Sequence, residues 1–395
     1  MNYVGAGVLD MALACTGVGL SLLVRSDPRF QTDQFYFWLA LLFATTGVGT
    51  ALGSIYLSRL SDRFGRRPLL LISLAGLALT TLSLAFAAAW WHLFVIMLVR
   101  SAFMGIFWPS LEARITDGAE GPEMARRLGL FGISFCAGLL LGPAAGGGLS
   151  DLGLRLPFFA AAALSLLLLI LMAVVFRTDT AHDGHRSPPR PDDQIEEEPL
   201  APAPRVRRAF LLCAWIANAL TYAAVAILRQ IFPSFAKLAA DQGGLGLTGF
   251  QAGVIGAGVG LAMLIAFVLL GRHHFWHFKF RYLLFGQIIS VLGCLVFAAC
   301  SEMATLFAGS FLFGTGAGVV YIASIYYSLE GHAARAGQSG LHEGILCFGF
   351  AGGMIITAVL TRSHRTPYWI CVALLLVGIA AEGLIWIRAR GRASR

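Results

Sequence analysis

The sequence predicts an all-α membrane protein of twelve transmembrane helices, built as two pseudo-symmetric bundles of six. Composition is the first of three observations behind this. Of 395 residues, 57% are hydrophobic and 13% charged, against about 25% charged in a soluble domain. Too few charges remain to cover a water-soluble globule, so lipid is the solvent for most of the chain. The second is a series of twelve apolar stretches, each near the ~20 residues that cross ~30 Å of hydrocarbon. The third is where the basic residues fall. With both termini placed in the cytoplasm, 21 of the 29 Lys and Arg lie in inner segments, seven lie outside or, as Arg229 does, at the outer end of a helix, and Arg100 alone lies deep within one. The positive-inside rule selects that topology. The 46 glycines fit, because membrane helices use Gly freely.

The first stretch, 4–24, follows a start without the basic region or cleavage site of a signal peptide, so it is expected to stay as a helix. The second, 35–57, leads into the basic loop RLSDRFGRRPLL. The third and fourth, 68–88 and 91–111, are joined by a very short turn. The fifth and sixth, 128–149 and 156–176, complete the first half. A segment rich in Pro and charge, 177–208, separates the halves and has the composition of a disordered linker. The second half comprises 209–232 and 250–270, the loop GRHHFWHFKFR, then 282–300 and 304–326 joined by a short turn. GQSGLHEG, at 337–344, leads into 341–360, which is followed by 367–387 and a basic tail at 389–395. The expected units are thus 1–176, the linker and 209–388. A shift of 211 residues superposes Gly129, Leu130, Cys136, Gly138 and Gly142 on Gly340, Leu341, Cys347, Gly349 and Gly353, and Gly105 on Gly316. An ancestral duplication of six helices produces such a pattern. All seven Cys sit in apolar stretches without CxxC spacing and read as small hydrophobes.

Two motifs carry chemistry. In the first inner loop, Gly65 permits a tight reversal, Arg66 and Arg67 anchor at anionic lipid, and Asp62 can accept hydrogen bonds from Arg or a helix N-terminus. Asp62, Arg63, Gly65, Arg66 and Arg67 resemble the loop signature of the major facilitator superfamily, with Ser58 standing where that pattern begins with Gly. In the fifth stretch, GLLLGPAAGG places Gly138, Gly142 and Gly146 four apart for close helix contact, while Pro143 removes a backbone donor and kinks the helix. With Gly147 these residues resemble the GxxxGPxxGG signature of proton-coupled drug and metabolite exporters in that superfamily. The alternative is a packing stripe with no bearing on transport direction. His273 and His277, at i and i+4 in the degenerate second-half loop, lack a Cys or carboxylate companion for a metal.

An ionisable group at mid-bilayer costs about 2.5–3.5 kcal/mol on insertion scales, so each one needs a reason. Asp10 lies about two turns into the first helix and Arg100 near the middle of the fourth. The resemblance implies that helices one, four, seven and ten line a central cavity. Asp10 and Arg100 are therefore expected to form or exchange a pair, with Asp10 as proton carrier, or else to be a static pair orienting two helices. Protonating an ordinary Asp at pH 7 costs about 4 kcal/mol, comparable with the penalty of keeping it charged in lipid-like surroundings. Glu343 is expected in the first turn of the eleventh helix, satisfying free N–H groups, or as a gate meeting Arg66 or Arg114. Glu112 and Glu382 are read as interfacial pairs with Arg114 and Arg388. Arg229 and Gln230 form an external gate or anion contact, or snorkel to headgroups. Trp108, Asn218, Tyr222, Tyr321 and Tyr326 are candidates for a cavity that stacks on an amphipathic substrate, or else are packing aromatics.

Nothing in the spacing matches a phosphate-cradling loop, a nucleophilic triad or a metal set, so no enzyme activity and no cofactor are expected. The resemblance implies a multi-pass transporter of the cytoplasmic (cell inner) membrane, monomeric, whose partners are a small-molecule substrate, protons and the bilayer, without nucleic acid. Alternating access with proton-coupled efflux (an antiporter) is the expected mechanism. The alternatives are uptake or facilitated diffusion of a polar metabolite, and a non-transporting receptor or scaffold.

Overall fold

The computed structural model describes residues 1–57, 60, 64–119, 121–179, 204–273, 275–329, 335–361 and 363–391. Twelve of its helices are long and apolar enough to cross a membrane, and no strand occurs among the described residues. In the first half they are α1 (Asn2–Ser26), α2 (Phe35–Leu52), α3 (Arg66–Leu84), α4 (Trp90–Thr116), α5 (Gly121–Leu152) and α6 (Leu156–Asp179). In the second they are α7 (Pro204–Gln230), α8 (Gly249–Arg272), α9 (Phe280–Ala299), α10 (Met303–Leu329), α11 (Arg335–Leu360) and α12 (Thr366–Gly391). The expected linker falls largely on 180–203, outside the described residues; Ser58, Asp62 and Arg63 also lie outside them. The Cys residues are free thiols, all buried except the half-buried Cys300.

Contacts repeat between the halves. Helix α1 packs on α5 and α6, α3 on α4 and α6, and α2 on α4; in the second half α7 packs on α11 and α12, α9 on α10 and α12, and α8 on α10. Two long seams join the bundles, α5 along α8 and α2 along α11, as a two-fold relation requires. The least covered helices, α6 and α12, turn side chains such as Leu166, Ile170, Leu376 and Leu384 outward, where an apolar surface suits lipid.

Without water to drive helices together, close backbone approach does the packing. A Cβ on Gly142 would lie 2.7 Å from the Met11 carbonyl oxygen, and one on Gly146 2.5 Å from that of Cys15, so these glycines seat α5 on α1. Gly138 belongs to the same stripe. Their counterparts 211 residues later do the same for the second half: Gly349 and Gly353 lie against Ala219 and Ala223 of α7. The correspondence fails for Gly105 and Gly316. Gly105 meets Thr50 of α2 and Gly53 just beyond its end, whereas Gly316 meets Gly286 and Ser290 of α9, so the two helices present different faces at that position. Gly147 and Pro143 point the other way from the α1 stripe, onto Gly249 and Gly253 of α8. The fifth-helix motif is thus two-sided, one side within its bundle and one across the seam. Helix α5 runs unbroken through Pro143.

In the first loop, Gly65 adopts φ +85°, a left-handed conformation that favours glycine, and α3 starts immediately after it. Arg66 Nη1 lies 3.1 Å from Asp117 Oδ2 and donates to the Ala113 carbonyl at 2.9 Å, tying the start of α3 to the end of α4.

Candidate functional site

A central cavity lies between the bundles, walled by α1, α2, α4, α5, α7, α10 and α11. Space open to the centres of water-sized spheres amounts to about 130 Å³, where one water needs about 10–15 Å³. It has room for several waters or a small ligand. Of the residues expected on a cavity, Asp10, Arg100, Trp108, Tyr222 and Tyr321 line it; Glu343, Arg229 and Gln230, expected as gates or in other roles, line it too.

Helical geometry explains the convergence. Asp10 stands where α1 is seated on α5 by the glycine stripe, and it is 3% exposed. Arg100, 4% exposed, is held from behind, its Nε donating to Thr81 Oγ1 of α3 at 3.2 Å. Its Nη2 has no hydrogen-bond partner among the described residues, nor has Asp10 Oδ2. No ion pair joins Asp10 to Arg100 among the described residues. The cation whose field reaches Asp10 is Arg229. Asp10 Oδ2 and Arg100 Nη2 are thus buried polar atoms without a hydrogen-bond partner among the described residues, and both residues line the cavity.

The aromatic wall is continuous. Tyr321 stacks on Phe135 with centroids 6.1 Å apart and planes 8° apart, Phe135 meets Trp108 edge-on at 5.6 Å, and Tyr222 lies 5.8 Å from Tyr321. Asn218 and Tyr326 are not part of it. Asn218 is buried in α7, one turn from Tyr222, and Tyr326 stacks on His277 at 4.3 Å beneath the loop between α8 and α9.

Glu343 departs from its expected place. Because α11 begins at Arg335, Glu343 is more than two turns inside the helix, with Tyr321 Oη donating to Oε1 at 3.5 Å and His342 Nε2 at 3.8 Å. It meets neither expected partner: Arg66 is spent on Asp117, and the Arg114 guanidinium lies 4.5 Å over the Phe176 ring. Glu112 and Glu382 are not interfacial pairs either. Residues two apart on a helix differ by about 200° in direction and residues six apart by about 240°, so Arg114 and Arg388 face elsewhere. Glu112, 1% exposed, accepts from Ser339 Oγ of α11; Glu382, fully buried, accepts from Gln287 Nε2 of α9 at 2.5 Å. Helix α4 continues past Glu112, one residue beyond the apolar stretch 91–111, while Glu382 lies inside its stretch on a face that packs against α9.

The bundles touch at both ends of the cavity. At the end away from the termini, Ser21 donates to the Gln230 carbonyl at 2.7 Å, Tyr36 Oη lies 3.0 Å from His364 Nδ1, and Lys237 pairs with Asp151 at 3.1 Å. At the terminal end Glu112 meets Ser339, and Gly129 lies against Gly271. No group of three His, Cys, Asp or Glu suited to a metal occurs among the described residues.

Comparison with known proteins places this architecture. The model of the Major Facilitator Superfamily matches residues 3–342. The chain is 39% identical over 181 residues to "Tetracycline resistance protein, class C" of Escherichia coli, covering 45% of each chain, and 31% identical over 193 residues to the class H protein of Pasteurella multocida, covering 47% of each. It therefore spans about half the length of these relatives. A longer match, 25% identical over 347 residues and covering 86% of this chain and 84% of the other, is to "Multi-drug resistance efflux pump PmrA" of Streptococcus pneumoniae. Among solved structures, the human organic anion transporter MFSD10 (TETRAN) shares the fold, with TM-score 0.66 at 15% identity over 96% of this chain and 99% of that one.

Proposed function

Because the chain belongs to the Major Facilitator Superfamily, we propose that it is a proton-coupled exporter of a small amphipathic molecule, moving it by alternating access of the two bundles. The observation that carries this reading is the central cavity, where Asp10 and Glu343 share one wall system with Arg100, Arg229 and a stacked aromatic face. An antiporter needs substrate and proton to compete for the same groups. Asp10, with an unpartnered oxygen on the cavity, is the proton carrier, and pairing with Arg100 is the exchange that accompanies its deprotonation. The aromatic face and unpartnered Arg100 Nη2 suit a flat ring system bearing hydrogen-bond acceptors. Similarity to tetracycline resistance proteins and to a multidrug efflux pump supports both export and that substrate class.

Units 1–176 and 209–388 move as the two rocking bodies in a monomer, joined through 177–208, in the bacterial inner membrane with both termini cytoplasmic. Small residues along α5, α8, α2 and α11 let the seams slide without large side chains catching. Catalysis has no part in this cycle.

Everted membrane vesicles test it. Respiration acidifies their lumen, and tetracycline added first, then a panel of aromatic amphipaths, should collapse part of that gradient in vesicles holding the wild-type chain but not the Asp10→Asn variant. Solute flux indifferent to the gradient would overturn proton coupling and leave a facilitator.

A further inference from the structure

We propose that Glu112 and Glu343, bridged by the Tyr321 hydroxyl, form a second proton-binding site across the seam between the bundles, separate from Asp10. The three groups come from three helices. Glu112 belongs to α4 of the first bundle, while Tyr321 and Glu343 belong to α10 and α11 of the second. Tyr321 Oη reaches Glu343 Oε1 at 3.5 Å, and the charges of both Glu343 and Glu112 act on the phenol. A phenol has one proton to donate, so it serves one carboxylate at a time. Ser339 Oγ donates to Glu112 Oε2, yet Glu112 Oε1 is buried without a partner among the described residues.

Two carboxylates facing one hydroxyl behind protein walls repel each other, and a single shared proton removes the repulsion. Transfer balances without any other reactant. A protonated Glu343 gives its proton to the Tyr321 oxygen as the phenol's own proton passes to Glu112, leaving Glu343 ionised and Tyr321 intact. The other groups acting here are His342, whose Nε2 lies 3.8 Å from Glu343 and whose Nδ1 lies 3.2 Å from Ser324 Oγ, and Cys347 and Tyr222, which feel the Glu343 charge. Since Glu343 lines the cavity and Glu112 does not, the relay runs from the cavity toward the end that carries both termini. Its place in transport rests on the proton-coupled reading above; proton binding itself does not.

Infrared difference spectra between acid and neutral pH, recorded on the purified full chain without substrate, read buried carboxyl C=O bands directly. One band component should be absent from both Glu112→Gln and Glu343→Gln, present in Asp10→Asn and His342→Gln, and displaced in Tyr321→Phe; Glu112→Asp should restore it. A band lost in only one of the two Glu variants, or in neither, overturns the shared site. Retention of the Asp10 component in each Glu variant verifies its fold. If the shared band behaves as stated while wild-type vesicles move no protons with any solute, the site stands and the exporter reading falls.

Discussion

Asp151, at the end of α5, accepts the backbone N–H of Gly249, at the start of α8, at 2.9 Å, and its second oxygen accepts that of Phe250 at 2.8 Å. Thr248 and Gln251 close a reciprocal capping box on the same turn, so a carboxylate from one bundle completes the helix N-terminus of the other. Replacing Asp151 by Ala should cost this end contact about 1–2 kcal/mol, or roughly 5- to 30-fold in the balance between cavity orientations. Labels placed on the two bundles at this end should show the longer-distance population grow, while Asp151→Asn, which keeps an acceptor, shifts it less.

The small-residue stripe makes a sharper prediction. Gly142→Val and Gly353→Val each drive a side chain into backbone, at α1 and α7 respectively, and overpacking costs about 1–3 kcal/mol. Both should lower the yield of folded protein and its melting temperature. Gly352→Ala, with open space at that position, should leave both unchanged.

Membrane helices are legible because every face must be apolar, and the twelve spans follow from that alone. The same uniformity hides helical phase. Asn218 and Tyr222 are equally plausible cavity residues in the sequence, and only packing turns one inward and the other onto the cavity. Asp10 and Arg100 stand out because charge is rare in apolar runs. Glu343 and Glu112 do not, since a helix that continues through polar residues leaves no mark where its apolar run stops. The Asp10–Arg229 relation joins sequence-distant helices and has no local signal.

Thr81 positions Arg100 through the 3.2 Å bond to Nε. Thr81→Val should raise KM for transport several-fold with normal expression, because the guanidinium is no longer aimed from behind. Thr81→Ser, which keeps the hydroxyl, should restore it; equal KM in both variants would assign Thr81 to packing alone.

His364, between α11 and α12, contacts Tyr36 across the seam. Burial pushes its imidazole below the usual His range, with a lesser contribution from the Arg25 charge. A ring whose folded value is lowered stabilises the fold fully above the ordinary value of about 6.5, and that contribution is lost as pH falls through the lowered one. Hydrogen exchange at residues 363–366, corrected for intrinsic rates, should therefore rise on acidification. In His364→Gln that added pH dependence should vanish.

Competition between substrate and proton for Asp10 can be read without a membrane. Tetracycline added to the purified chain in a weakly buffered detergent solution should release protons from the wild type in proportion to bound ligand, and release fewer from Asp10→Asn at equal occupancy. Binding with no proton release, or with proton uptake, would contradict antiport through this cavity.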